Sequence, residues 1–449
     1  MKPFDLDNLL AQMRQALELN QLDDAIHTLE SLRTPDQADL LAELDEEDQI
    51  ALVTRLGPAA SADILEELED EEAADLMEAL PTETAIRIVE EMADDEAADV
   101  LGDIEPAIAR SILAGMEDSE DIHPLMLHAE DSAGGLMTSE ILVLRRRTTA
   151  GEALEAVRRW QPDSQPVYDL FVVDSQGRLS GVVNLHQLVV SPADRPVGDI
   201  MEGDVIAVLT GTDQEECARL MSRYDLLALP VVDCEHRLLG VITIDDVMEV
   251  LEDEATEDIQ RMGGALPLDQ PYLSSRVLEV ARKRVGWLML LFITESLTGT
   301  VLRHFEDQLQ TVVALAFFVP LLIGTGGNAG SQTTSTIIRA LAVGDIDTRE
   351  AARALWHELR VGLLLGLGMG VFAFVRALTW HTTPGLAATV SMAIFTIVVW
   401  ANGLGAILPL LASKLRIDPT VVSGPVMSTL VDATGLFIYF TIARMALGI

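Results

Sequence analysis

Apolar residues along the chain recur first in short bursts, then in β-branched runs, and last in stretches long enough to cross a bilayer. Over residues 60–113 the bursts return about every 12 residues, as Ala62-Asp63-Ile64-Leu65, Ala74-Asp75-Leu76-Met77, Ala85-Ile86-Arg87-Ile88 and Ala98-Asp99-Val100-Leu101. Each burst has helical spacing and is bounded by acidic or Pro turns, which predicts short helices stacked into a small solenoid. Residues 132–260 change character. Leu170–Asp174 and Gly177–Val183 form one pair of apolar strands around a turn, and Leu229–Asp233 and Arg237–Thr243 form another about 60 residues on. Both copies share the pattern Val-Val-Asp, a short turn, then Arg-Leu-x-Gly-Val. The acidic run Asp245–Ile259 follows and reads as a helix leading to the membrane.

After Arg282-Lys283-Arg284 come five apolar stretches, near 285–302, 311–341, 359–380, 386–411 and 421–447. Each approaches or exceeds the roughly 20 residues needed to span hydrocarbon. Nine Lys/Arg fall on one side of these spans and three on the other, so the positive-inside bias places the N-terminus in the cytoplasm and the C-terminus outside. The second span carries Gly324-Thr325-Gly326-Gly327-Asn328-Ala329-Gly330-Ser331-Gln332, a polar, Gly-rich interruption. Small residues there let helices approach closely, while Asn328, Ser331 and Gln332 together favour a wet path. In the fifth span Pro425 removes a helical donor, which would leave a carbonyl free one turn earlier. Gly424, Ser428 and Asp432 share one face, with Thr429 beside it. A carboxylate inside a span costs about 2.5–3.5 kcal/mol on insertion scales, so it normally meets a polar cavity or partner. Carboxylate, hydroxyls and carbonyls form an all-oxygen surface suited to hard cations such as Mg²⁺ or Ca²⁺. Glu295 is a second acid within an apolar run, either lining the same path or lying near the outer end of its span.

Charge divides the chain at the same place. Residues 1–130 carry 36 Asp/Glu against 6 Lys/Arg, residues 131–280 carry 27 against 12, and residues 281–449 only 9 against 12. The first two parts therefore net −45, which repels nucleic acid and anionic membrane surfaces and makes cations the obvious partners. Cys217 and Cys234 stand alone, which argues for a reducing compartment and against zinc or disulfide scaffolds. The acidic first 30 residues have no apolar core, so no cleavable signal peptide is expected. No nucleophile–base pair, HExxH or GxxxxGK[ST] motif is present, so neither an enzyme nor an ATP-driven pump is expected.

The two strand-pair repeats resemble tandem CBS modules, which as a family pair into a disc and sense small ligands. CBS modules that bind adenosine end in Thr/Ser with Asp three residues on. The second copy has Thr243 and Asp246, but the first has Asn184 and Gln187, which counts against an adenine nucleotide. Taken together, the acidic helical repeat, the CBS pair, the acidic connecting helix, the Gly-Gly-Asn-Ala-Gly-Ser-Gln segment and the Pro425/Thr429/Asp432 pattern resemble the MgtE magnesium channel/transporter family over nearly the whole chain. The resemblance implies a multidomain architecture. An acidic helical superhelix (1–131) precedes α/β tandem CBS modules (132–198 and 199–250), a connecting plug helix (251–280) and a five-span helical membrane domain (281–449).

It further implies a plasma-membrane homodimer that takes up Mg²⁺ through a pore on the two-fold axis. The pore residues would be Asp432, Ser428, Thr429, Gly424, Pro425 and Asn328, with Asp418 at the cytoplasmic mouth. Regulatory Mg²⁺ would hold the pore shut through Asp63, Asp95 and Asp99 in the repeats, Asp213, Glu215 and Asp225 in the second module, and Asp246, Glu249, Glu254 and Glu257 around the connecting helix. The family pattern has Asn just before the pore Pro, where this chain has Gly424, so its oxygen set relies more on backbone and Ser428. Two other functions remain compatible with the residues: an ion-coupled secondary transporter with Asp432 as a protonatable carrier, and a membrane-anchored ligand sensor that transports nothing.

Overall fold

A computed structural model describes residues 6–448 except 117, 118, 120, 121, 161–168, 269–271, 273, 274 and 423. The chain divides into two compact units, Met1–Glu252 and Asp253–Ile449.

The first unit opens with α1 (Leu6–Glu18) and α2 (Leu22–Glu30), followed by α3 (Thr34–Ala42), α4 (Glu46–Arg55), α5 (Pro58–Leu65), α6 (Asp70–Ala79), α7 (Thr82–Val89), α8 (Asp94–Asp103) and α9 (Pro106–Leu113). From α3 onward every helix begins 12 residues after the last, so the repeat legible over 60–113 starts a full two helices earlier. It resolves into a 24-residue unit. The helices α4, α6 and α8 start with three acids, which complement the N-terminal dipole. The helices α5 and α9 instead start on Pro58 and Pro106, whose fixed φ suits a first turn, and α7 follows Pro81. Packing links α4 to α6, α6 to α8, α5 to α7 and α7 to α9, as expected of stacked helix pairs. Carboxylates reach across the stack: Glu66 Oε1 accepts the Ala93 N–H at 2.7 Å, and Glu78 accepts the Glu105 N–H, capping α8 and α9 in turn.

A short α10 (Ile122–Leu125) precedes the two α/β modules. The first comprises β1 (Val143–Arg145), α11 (Ala150–Trp160), β2 (Asp169–Val173), β3 (Leu179–Asn184) and α12 (Leu185–Val190). The second comprises β4 (Val208–Leu209), α13 (Gln214–Tyr224), β5 (Ala228–Val232), β6 (Leu238–Thr243) and the start of α14 (Ile244–Met262). In each sheet a parallel pair, β1–β2 or β4–β5, is followed by an antiparallel hairpin, β2–β3 or β5–β6. The repetition extends to single hydrogen bonds. Asp174 Oδ1 accepts the N–H groups of Gln176 and Arg178, and Asp233 Oδ1 those of Glu235 and Arg237, so both Val-Val-Asp aspartates close the hairpin turn. Phe171 and Leu179 of one module pack on Val232 and Val241 of the other. The helical stack and the second module share one core, which runs from Met13 through Val100 and Leu101 to Met221, Leu229 and Val250.

Among its described residues the second unit has five helices long and apolar enough to cross a membrane: α15 (Val277–His304), α17 (Val319–Ala342, extended to Val313 by a 3₁₀ turn), α18 (Ala351–Thr379), α19 (Pro384–Lys414) and α20 (Gly424–Leu447). A short α16 (Glu306–Thr311) joins the first two. Gly362, Gly366 and Gly370, one turn apart on α18, are buried where a Cβ would meet Asn402, Phe395 and Ser391 of α19. Small residues allow this close approach, because in lipid the helices have only packing and polar contacts to hold them. Phe318, Ile397, Met427, Val431, Tyr439 and Phe440 form the core, and the Tyr439 hydroxyl donates to the Leu315 carbonyl at 3.1 Å.

Three local expectations change. The Gly-rich segment of α17 does not interrupt the helix, which runs unbroken through Gly324–Gln332, with Gly326 seated against α19 and α20 and Gly327 and Gly330 against α20. Pro425 lies in the first turn of α20, where no helical donor is lost, so it frees no carbonyl inside a span. The connecting helix begins at Ile244, inside the second module, and ends at Met262, before Gly263-Gly264-Ala265-Leu266-Pro267 breaks the run.

Candidate cation sites

Helices α17 and α20 build the first site. Ser331 Oγ of α17 lies 3.3 Å from the Gly424 carbonyl oxygen and 3.3 Å from Ser428 Oγ. One turn deeper, Gly327 is buried, and a Cβ there would sit 3.3 Å from Ser428 Oγ and 3.7 Å from Asp432 Oδ1. Gly327 thus opens the space in front of the carboxylate. Asp432 Oδ1 is itself buried and has no hydrogen-bond partner among the described residues. A buried, unpartnered carboxylate oxygen is costly, and a cation relieves the cost. The Thr429 hydroxyl donates to the Pro425 carbonyl at 3.0 Å, which leaves its oxygen lone pairs available as acceptors. The charge of Glu295 on α15 acts on Asp432, so two acids contribute to the field here. Asn328, Gln332 and Glu295 are exposed on the single chain.

Asp418 belongs to a different level. It precedes α20, and the eight residues from Gly424 to Asp432 rise about 12 Å. Its Oδ1 accepts the Thr420 N–H at 2.8 Å, and its Oδ2 pairs with Arg261 Nη1 at 2.7 Å.

The second site lies in the first unit, where the N-terminus of α8 meets the start of α14. Asp95 is 5 % exposed, its Oδ1 has no partner among the described residues, and its carboxyl is pushed up to about 7 by burial and by the charge of Asp246. Glu96 is pushed up to about 10 by burial, with the charges of Asp95, Glu249, Asp99 and Asp246 adding to it. Asp99 rises to about 8 through burial and the charges of Asp70, Asp95 and Glu130. Burial also raises Asp246, although Thr243 opposes this by donating to Asp246 Oδ2 from its hydroxyl at 2.7 Å and its N–H at 3.1 Å. Burial and mutual repulsion act in one direction throughout, which is the signature of a place that lacks positive charge.

The other expected regulatory acids are held by other elements or farther along α14. Asp63 is exposed on α5. Asp213 caps α13 by accepting the Glu215 N–H at 3.0 Å, Glu215 is exposed, and Asp225 ends the same helix with φ 52°. Glu254 and Glu257 fall in the second unit, where Glu257 pairs with Arg261. Among the described residues no three His, Cys, Asp or Glu side chains form a ready metal cage. A magnesium ion does not require one, since it usually keeps several waters and takes one or two carboxylates.

Three features escaped the sequence. Glu96 reads as a solvated first-turn acid. Arg261 reads as one charge among many. Thr333, Glu358 and Asn402 form a buried polar node, with Thr333 Oγ1 at 2.8 Å from Asn402 Oδ1 and 3.4 Å from Glu358 Oε2. Glu358 stands one residue before the third span as read from hydropathy, and α18 begins seven residues before it. The Thr243/Asp246 pair, the half of the adenosine pattern that this chain keeps, is engaged in capping α14, and Asn184 with Gln187 makes the equivalent capping box on α12. The cleft between the modules is lined by Glu140, Trp160, Asp169, Phe171, Thr243 and Asp245, among others.

A carboxylate oxygen buried among helices long and apolar enough to cross a membrane, in a chain that also carries an α/β module pair and an acidic helical stack, defines a multi-pass membrane protein. Family models match across this organisation: the MgtE divalent cation transporter domain over 319–442, the MgtE intracellular N domain over 32–131, and CBS domains over 133–193 and 197–253. The magnesium transporter MgtE of Thermus thermophilus is 45 % identical over 73 % of this chain and 72 % of its own length, and that of Enterococcus faecalis is 33 % identical over the same shares. The cytosolic domain of the Mg²⁺ channel MgtE in complex with ATP aligns with 54 % of this chain and 99 % of its own, with 37 % identity and a TM-score of 0.51. The chain belongs to the MgtE family.

Proposed function

We propose that this chain takes up Mg²⁺ through a pore lined by α17 and α20, and that Mg²⁺ on the cytoplasmic side holds the pore closed. The observation that carries the first part is Asp432 Oδ1, buried and without a partner among the described residues, one turn from the Ser428–Ser331 hydroxyl pair. Because Mg²⁺ sheds water reluctantly, Asp432 with Ser428, Thr429 and the Gly424 carbonyl would receive a largely hydrated ion and select it by charge and cavity size. A negative-inside potential favours entry by about 2.3 kcal/mol per charge per 100 mV, so no energy source beyond the gradient is required. Asn328, Gln332 and Glu295 would face lipid on a lone chain, at a cost. A second copy across a two-fold axis turns them toward a shared polar path, which supports a homodimer in the plasma membrane with its acidic portion inside.

For control, Asp95, Asp99, Asp246 and Glu249, joined by Glu96, are the residues that would hold regulatory Mg²⁺, whose charge offsets their repulsion. Asp63, Asp213, Glu215, Asp225, Glu254 and Glu257 remain candidates for further, weaker sites. Moving a gate from 1:99 to 99:1 needs about 5.5 kcal/mol of differential binding, so such sites act in number. Divalent-ion flux into liposomes tests the proposal. Asp432→Ala should abolish Mg²⁺ uptake, and internal millimolar Mg²⁺ should stop wild-type uptake. Uptake that persists in Asp432→Ala overturns the pore assignment, and dependence on a proton or Na⁺ gradient would point to a coupled transporter.

The cleft lined by Trp160, Thr243 and Asp245 supports a second ligand, an adenine nucleotide, with the indole for the base and Asp245 in place of Asp246 for the ribose. Calorimetric titration with ATP tests this, and loss of heat in Asp245→Ala is the expected result.

A further inference from the structure

Within the second unit, the last turns of α14 carry Glu257, Asp258 and Arg261, and the loop before α20 carries Asp418. Arg261 uses both arms of its guanidinium: Nη1 lies 2.7 Å from Asp418 Oδ2, and Nη2 pairs with Glu257. Asp258 joins the group, its carboxyl raised by burial and by the charges of Asp418 and Glu257 against the opposing pull of Arg261 and Arg339. Asp418 is itself fixed to the base of α20. Its Oδ1 takes the Thr420 N–H and its Oδ2 the Thr420 hydroxyl at 2.5 Å, which holds the 3₁₀ turn Pro419–Val421 leading into the helix. One turn past Arg261, Gly264 adopts φ 74°, and a Cβ there would collide with the indole nitrogen of Trp287 and stand 3.4 Å from Pro425 Cγ. An ion pair and a glycine fit therefore seat the end of α14 against the start of the helix that carries Asp432.

We infer that Arg261 is a built-in counter-ion that clamps α14 to the base of α20 and competes with divalent cations for the carboxylates of Glu257, Asp258 and Asp418. The inference rests on the proposed closure by cytoplasmic Mg²⁺ and adds a resident competitor to it. The side chains of Arg261, Glu257 and Asp418 keep 40 %, 29 % and 33 % of their exposure, so water screens the pairs and each is weak. A weak clamp yields to a divalent ion at millimolar concentration, whereas a buried one would not. The planar fork of Arg spans two carboxylates at once, which the single ammonium of Lys does less well. With the clamp in place, loss of Mg²⁺ loosens α14 without setting it free.

The test uses the full-length protein in liposomes, as wild type, Arg261→Gln and Arg261→Lys. Thermolysin cleavage at Ile259, which is 70 % exposed on α14, reads the seating of the helix, and Mg²⁺ flux reads closure. In chelator, Arg261→Gln should be cut roughly three- to fivefold faster than wild type, with Arg261→Lys between them. The internal Mg²⁺ that half-closes the pore should fall by a similar factor, because the competitor is gone. The double variant Arg261→Asp/Asp418→Arg should return cleavage toward the wild-type rate, which a folding defect would not do. An unchanged cleavage rate in Arg261→Gln, or a half-closing Mg²⁺ that rises, overturns the inference. If wild-type flux ignores internal Mg²⁺ altogether, the gating proposal fails, while cleavage in chelator still judges the clamp.

Discussion

Asp95 offers the sharpest test of the acidic cluster. Its carboxyl is raised from 3.8 to about 7, so the folded state holds a proton that the unfolded state has released. An acid raised in the folded state contributes most stability below its unfolded value and loses it as pH climbs toward its folded value. For Asp95 that window runs from about 4 to about 7, and a shift of about three units corresponds to an upper bound of ~4 kcal/mol. Asp99 and Glu96, raised to about 8 and about 10, extend the decline to higher pH. Asn cannot ionise, so Asp95→Asn in a fragment spanning residues 1–252 should lose this term. In EDTA at pH 8 the variant should be more stable than wild type by about 2–4 kcal/mol, and at pH 4 the two should converge. For a unit of this size, that difference is roughly 4–16 °C in melting temperature.

Added Mg²⁺ supplies the counter-check. At ten times a site's dissociation constant it stabilises by about 1.4 kcal/mol per site, and wild type should gain more than Asp95→Asn. Melting followed by circular dichroism across pH 4–8, with and without 10 mM Mg²⁺, reads both effects. The exposed Asp63→Asn controls for the loss of one negative charge. A wild-type melting temperature that stays level from pH 5 to 8 in EDTA, or an Asp95→Asn variant that is less stable than wild type at pH 8, would refute the reasoning.

Three further outcomes follow from packing in the second unit. Gly326→Ala should cost about 1–3 kcal/mol by overpacking, because its Cβ would fall 2.7 Å from Ile397 and 2.8 Å from Val431; yield and melting temperature in detergent measure it. Gly327→Ala places a methyl group 3.3 Å from Ser428 Oγ and 3.7 Å from Asp432 Oδ1, a tight fit that a few tenths of an ångström of movement in the Ser428 side chain relieves, so the fold should persist while Mg²⁺ flux drops several-fold. Asn402→Leu leaves the buried Thr333 hydroxyl without its nearer acceptor and should cost about 1–3 kcal/mol, with Asn402→Asp recovering part of it.

The five spans were legible because roughly twenty apolar residues in a row have few other uses. The helical stack was legible because its 12-residue period is strict, although weaker bursts hid its first two helices. Gly324–Gln332 misled because glycine disfavours helix in isolation, whereas in lipid it is the residue that lets α17 pack closely on its neighbours. Pro425 misled by a boundary error of a few residues, which turned a first-turn proline into an internal one. Asp432 stood out in sequence because a lone carboxylate in a span is rare. Asp95 and Asp246 are 151 positions apart, and no local pattern reveals that they meet; a family resemblance proposed both, and the fold puts them within reach of each other. Glu96 and Arg261 carried no signal at all, since a charge on an acidic helix looks solvated until its neighbours are known.

The strict spacing of α3 to α9 has a consequence for how the chain yields under stress. Among the described residues each helix pair packs chiefly on the pairs before and after it, so the array behaves as a one-dimensional zipper. One end of the zipper is pinned, because α8 shares its core with the second α/β module, while α1 and α2 lie at the other end. Fraying therefore starts at the N-terminus and stops before α8, and amide exchange should slow step by step in 24-residue increments toward the acidic cluster. Inserting or deleting one whole unit near α4 keeps every helix in register, whereas a change that is not a whole number of units throws all those after it out of step.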